Sequence, residues 1–249
     1  MSVIDRPVVL PKLAFLTVWD MVGLGEPHPI FGTNTHYVTG DGFARDLHAR
    51  TMALLTEHGL ARRDRLNPLW KATLRVIGLA GREFYAWSHH SGDGTHGAIL
   101  VASHDGHAVR VAADDHVVSV EPVADKWHAT HLLDALPDVP GARIKTVRVA
   151  EDFYDDPYAV SRSPLAEPVD TNDIDYLNKV MAVPRDAVHQ FYTATRDDGD
   201  RVRSSPITAL DLTGQGRVLT YRTDDDRIVA ESGTPRQCIS ILNTTHAGL

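Results

Sequence analysis

Apolar and polar positions along the chain repeat with two periods, every second residue in some stretches and every third or fourth in others. The clearest period-two region runs from Gly97 to Val123, where three β-rich runs are separated by two turn signals. Ala98–His104 reads as a strand, Asp105-Gly106 supplies the positive-φ pair that a two-residue hairpin turn requires, and His107–Ala112 returns beside it. After a turn at Ala113-Asp114-Asp115, Val117–Val120 makes a third strand, closed by Pro122, which has no N–H to give a ladder.

Upstream, Val8–Phe15 is apolar and β-branched but interrupted by Pro11, which predicts an edge-type strand; Leu16–Val22 predicts a short helix stopped by Gly23-Leu24-Gly25. Phe43, Leu47, Thr51, Leu54, Leu55 and His58 recur at helical spacing between a candidate N-cap, Asp41, and a stop, Gly59. Leu66, Leu69, Trp70, Leu74 and Ile77 repeat that pattern, with Asn67-Pro68 as cap and first turn. Arg82–Ser88 alternates as a strand and leads, across a polar glycine-rich loop His89–His96, into the meander.

Downstream, the pattern predicts a helix over Trp127–Leu136, a strand over Ile144–Val149 and a loop over Glu151–Asp170. Ile174, Leu177, Val180 and Met181 share a helical face, and Pro184 begins a second helix with Val188, Phe191 and Tyr192 on its apolar side, ended by Asp197-Asp198-Gly199. A second meander follows as Ile207–Leu212, Arg217–Arg222, Arg227–Glu231 and Arg236–Leu242. The order strand, helices, meander therefore occurs twice. It implies an α+β fold, one domain with a quasi-two-fold arrangement of antiparallel β-meanders and two helical groups, its halves spanning about residues 1–140 and 141–249.

A net charge of -8 argues against nucleic acid as a partner. The single cysteine, Cys238, cannot form an intrachain disulfide, which favours cytoplasmic residence. No apolar run approaches the ~18 residues of a spanning helix, so no membrane insertion is expected, and the first residues lack the form of a cleaved signal. Catalytic signatures are missing: there is no GxSxG, no P-loop and no HExxH, and Gly23-Leu24-Gly25 is a lone GxG. Cys238 falls in an apolar run and reads as a small buried residue. The Asp clusters at 114–115, 155–156, 197–198 and 224–226 all lie at turns, where Asp side chains bond their own backbone. Trp19, Trp70 and Trp127 read as core, whereas Trp87 stands at the mouth of the polar loop. Among 14 histidines, His89, His90 and His96 with Asp93 are near enough in sequence to suggest an alternative function, a metal-dependent hydrolase, although their spacing matches no metal motif.

Four stretches are distinctive together: the entry Trp19-Asp20-Met21-Val22-Gly23-Leu24-Gly25-Glu26-Pro27, the REFYAW strand leading into GAILVASHDGHAVRV, the segment LLDALPDVPGARIKTVRV, and the terminal GRVLTYRTDDDRIV. In this order they resemble the EspG family, cytosolic chaperones of actinobacterial type VII (ESX) secretion. The resemblance covers most of the chain in order. It implies a quasi-two-fold antiparallel sheet, no enzymatic activity, no cofactor, and partners that are PE–PPE-like secreted proteins, bound at the helical tip of the PPE chain; it leaves a homodimer open. It also implies recognition through the loop between the second and third strands, His89–His96, and through the C-terminal helical bundle, the helices Ile174–Met181 and Ala187–Tyr192. Carried onto this sequence, those are Trp87, His89, His90, Ser91, Asp93, Thr95 and His96, and Tyr176, Leu177, Val180, Met181, Phe191 and Tyr192.

Overall fold

The computed structural model describes residues 2–32, 41–150, 172–197 and 199–249. The first half of the chain supplies β1 (Val8–Pro11), a small hairpin β2–β3 (Ala61–Arg62 and Arg65–Leu66), and a meander of β4 (Arg82–His90), β5 (His96–His104), β6 (His107–Ala113) and β7 (Val117–Val123). The second supplies β8 (Val147–Ala150), β9 (Arg185–Asp197), β10 (Asp200–Arg203), β11 (Ile207–Leu212), β12 (Gly216–Arg222) and β13 (Arg227–Ser232). Six helices join them among the described residues: α1 (Lys12–Val22), α2 (Asp41–Glu57), α3 (Pro68–Gly78), α4 (His128–Leu133), α5 (Asn172–Met181) and α6 (Pro235–Ala247). None is long and apolar enough to cross a membrane.

The main sheet is antiparallel, with the order β1-β7-β6-β5-β4 from the first half and β9-β11-β12-β13-β8 from the second. The halves meet at β4 and β9, where Tyr85 lies opposite Tyr192. In each half the opening strand returns to the outer edge of its own meander, β1 on β7 and β8 on β13, and a helix follows the last meander strand. One face carries α4 and α6 over Phe84, Ile99, Phe191, Ala209 and Leu219. The other carries α1 and α3 over Tyr85, Leu100 and Val109, and α5 over Val147, Leu210 and Val218.

Local signals account for much of this. Asp105 and Gly106 both have positive φ, at 50° and 75°, as a two-residue hairpin turn requires. The Asn67 side chain accepts the Leu69 N–H at 2.9 Å and starts α3. Pro122 is inside β7 rather than beyond it, opposite Val109. Because β1 reaches only to Val120, Pro122 lies where no second neighbour needs its N–H.

Five expectations are corrected. The first strand ends at Pro11 and helix begins at Lys12, so the run to Phe15 is divided between two elements. The segment after Pro184 is not a helix but β9, the second-half strand that pairs with β4 in the middle of the sheet. Ala187, Phe191 and Thr193 are buried on one of its faces and Tyr192 and Ala194 on the other. A strand covered on both sides loses its alternation, and apolar residues at 188, 191 and 192 then imitate a helical stripe. Arg236–Leu242 is not a strand but part of α6, whose Thr234 and Gln237 form a reciprocal capping box on either side of Pro235. Trp127 is not core: it is 69% exposed, in a left-handed conformation one residue before α4. The strand expected at Ile144–Val149 is shorter and later, Val147–Ala150, and the loop expected at Glu151–Asp170 lies outside the described residues.

Candidate functional site

The β4–β5 hairpin carries most of the sequence-implicated residues. Its strands stay paired out to His89 opposite His96, so the expected loop contracts to Ser91–Thr95. That turn is built from its own polar groups. The His90 N–H donates to the Thr95 carbonyl at 2.8 Å, and one oxygen of Asp93 accepts both the Thr95 N–H (2.9 Å) and the Thr95 hydroxyl (2.7 Å). These bonds hold the Asp93 carboxyl below its ordinary range.

Strand alternation then sorts the side chains. Trp87, His89 and His96 share the face that α1 covers, while Ser88 and His90 share the opposite one. His89 and His90 therefore project apart, Asp93 is engaged by its own turn, and His96 pairs with Asp115 at 2.9 Å. The four groups of the metal-hydrolase alternative do not converge, and among the described residues no three His, Cys, Asp or Glu side chains stand close enough to hold an ion.

What the hairpin does form is a recess of about 320 Å³, with Trp87, Val188 and Ile30 in its wall and His89, His96 and Gln190 around it. Trp87 is half-buried and set edge-on to Tyr85 and Tyr192, with ring centroids 5.3 and 5.2 Å away. The end of α5 reaches the same end of the sheet. The Arg185 guanidinium donates to the Met181 carbonyl at 2.8 Å, and the Ser91 N–H donates to the Asp186 carbonyl at 2.8 Å. Asp186 also accepts the Thr213 hydroxyl at 2.6 Å, bringing in the β11–β12 turn.

Several residues implicated by sequence are taken up by the core. Leu177 and Val180 pack under α5, while Tyr176 and Met181 are half-buried; the Tyr176 hydroxyl accepts the Lys145 N–H at 3.0 Å. Phe191 is fully buried, and Tyr192 is 8% exposed, stacked on Tyr85 and covered by the Arg203 guanidinium 5.2 Å above its ring. Both were expected on an accessible helix; as residues of a central strand they offer no such surface.

Beneath the hairpin lies a buried polar series that no local motif announces, since its members come from four strands. The Ser88 hydroxyl meets His189 Nδ1 at 2.8 Å, His189 Nε2 meets Asp211 at 3.1 Å, and Arg217 grips Asp211 with bonds of 2.6 and 2.9 Å. Burial alone would raise the Asp211 pKa, but the bonds from His189 and Arg217 outweigh it and hold the group down to about 2. His189 is fully buried and Asp211 is neutralised by a bidentate guanidinium, so the series ties β4, β9, β11 and β12 together directly under the tip. The Cys238 thiol is also buried, and burial pushes it up to about 11, far from thiolate reactivity.

Comparison with curated protein sequences finds no match. Among solved structures, the fold is similar to that of the chaperone EspG5 of the Mycobacterium tuberculosis type VII secretion system, in complex with a PE25–PPE41 dimer. The match has a TM-score of 0.67 and covers 96% of this chain and 95% of that chain. At 14% identity it speaks to the fold alone. The sequence profile of the EspG family matches residues 11–237, from the end of β1 into α6, and this chain belongs to that family.

Proposed function

We propose that the protein is a cytosolic chaperone of an actinobacterial type VII (ESX) secretion system. It binds the helical tip of the PPE chain in PE–PPE-like heterodimers and keeps that apolar surface from self-associating before export. Family membership over residues 11–237 carries this reading. It is supported by the shared fold with EspG5, a chaperone captured with a PE25–PPE41 dimer. The single cysteine agrees with a reducing compartment.

On this chain the client surface is the end of the sheet where the β4–β5 hairpin and the end of α5 meet. An interface of this sort needs an apolar centre inside a polar rim. Trp87 and Val188 supply the centre, and His89, Ser91, Asp93, Thr95 and His96 the rim, with half-buried Met181 beside it. The buried series under Ser88 holds the hairpin in one arrangement before a client arrives, which lowers the ordering cost of binding. Co-expression with each PE–PPE-like pair encoded nearby, followed by size exclusion, tests the reading. A three-chain complex is expected with one pair, weakened roughly tenfold or more by Trp87→Ala. If every pair elutes apart from the chaperone, the reading fails.

A further inference from the structure

A second surface lies away from the hairpin tip, at the other end of α1. Lys12, which opens that helix, borders the tip recess, whereas Met21 near its end borders a separate groove of about 600 Å³. The groove runs between α3 and the β2–β3 hairpin. Pro68, Lys71 and Arg75 recur at three- and four-residue spacing along α3 and form one wall; Arg65 and Leu66 of β3 form the other.

Charge is distributed unevenly around it. Residues 62–82 contain six of the 25 Lys and Arg and only one of the 33 Asp and Glu, so this stretch is basic within an acidic chain. Arg65, Lys71 and Arg75 are all exposed, and none has an ion-pair partner among the described residues. Among the described residues the only carboxylate in the groove is Asp64. The hairpin that carries Arg65 turns through Arg63 and Asp64 at φ of 48° and 58°, a conformation that favours Asn and Gly. A charged residue thus stands where the backbone would prefer a smaller one. Met21 and Leu69 add apolar surface at the rim, 37% and 38% exposed.

We infer that this groove docks an acidic, partly apolar peptide segment of a protein partner, with carboxylates meeting Lys71 and Arg75 one helical turn apart and an apolar side chain against Met21. Neutralising exposed cations in a chain of net charge -8 gives both attraction and steering to such a segment. A long polyanion such as nucleic acid is disfavoured by the net charge of -8 on the chain as a whole. The groove and the client surface use different residues, so occupation of one leaves the other open.

The test is fluorescence polarisation of a fluorescein-labelled peptide of repeated Glu-Glu-Leu units with the full chain. Binding that weakens with added salt is expected, together with a roughly tenfold or greater loss on the double substitution Lys71→Glu, Arg75→Glu. The variant's thermal midpoint should stay with the parent's, because both side chains are exposed. Arg236→Glu, a distant exposed cation, serves as the control and should leave affinity unchanged. Equal binding by the parent and the Lys71→Glu, Arg75→Glu variant would overturn the assignment. So would tighter, equally groove-dependent binding of an oligothymidylate strand.

Discussion

Two buried clusters in this protein combine an imidazole, a carboxylate and a guanidinium, one on each face of the sheet. In the second-half cluster every group has a compatible partner. Ser88 donates to His189 Nδ1, His189 Nε2–H donates to Asp211, and Arg217 closes on both Asp211 oxygens and on the Pro137 carbonyl. In the first-half cluster the His28 Nδ1 accepts the Ile30 N–H at 3.2 Å, which puts the ring proton on Nε2, facing Glu83 at 3.2 Å. The Arg201 guanidinium then stands 2.8 Å from a nitrogen with no free lone pair, and Glu83 Oε1 has no partner among the described residues. The same chemistry is closed in one place and frustrated in the other. Buried polar groups stabilise through the completeness of their bonding, not through their identity.

That contrast is broken most forcefully at Asp211. Asp211→Ala leaves a 4%-exposed Arg217 and a fully buried His189 without their anion, and should cost about 3–5 kcal/mol in urea unfolding. The Arg217 stem packs so closely on Gly233 that a Cβ there would sit 2.5 Å from it. A loss under 1 kcal/mol, on the order of an exposed pair, would erase the distinction. Acid provides a milder version of the same test. Because the Asp211 pKa is held near 2 against an ordinary 3.8, the unfolded chain takes up the proton first. Its contribution is complete above pH 3.8, is lost as pH falls towards 2, and amounts to about 2 kcal/mol. The stability gap between the parent and Asp211→Asn should close over that window.

Neither cluster was legible in the sequence, and the reason is topological. Ser88 and His189 are 101 residues apart, and Glu83 and Arg201 118, so only the sheet order brings them together. Local signals carried the rest of the fold well where they were local. Asp105-Gly106, Asn67-Pro68 and the twice-repeated order of elements gave the first-half meander, α3 and the paired halves. They misled at β9, where burial on both faces hides the strand period, and at α6, where Thr234 and Gln237 announced a helix that a run of Cys, Ile and Leu disguised as a strand. The candidate site divided along the same line. Hairpin residues reached a shared surface, whereas Phe191 and Tyr192 went into the core with the strand that the helical reading had concealed.

At the frustrated cluster the expected effects are smaller. Glu83→Gln should cost about 1–2 kcal/mol, less than the Asp211→Ala loss, although Glu83 is only 1% exposed. One carboxylate oxygen already lacks a partner, and the Arg201 side chain, 21% exposed, can turn towards water when the charge is removed. Denaturant titration of the two variants side by side measures the ratio directly. Equal costs would mean that the unmatched contacts around His28 carry no penalty.

The smallest effect is a slope in pH. Burial pulls His28 below its ordinary 6.5, and the bond and charge of Glu83 only partly restore it against the opposing charges of Arg201 and Arg196. As pH falls below 6.5 the unfolded chain protonates first, so stability declines from there down to the native pKa and is unaffected above 6.5. His128 and His246, both lowered by burial beside Phe84, tilt the curve the same way, so the parent alone cannot isolate His28. The difference between the parent and His28→Gln can. That difference should shrink steadily as pH falls below 6.5, and do so equally in an Asp211→Asn background, because the two clusters lie on opposite faces and share no residue. A difference that stays flat over the same range would show that His28 enters the folded protein already charged, with Glu83 satisfied and Arg201 displaced, and the frustrated cluster would become a second closed one.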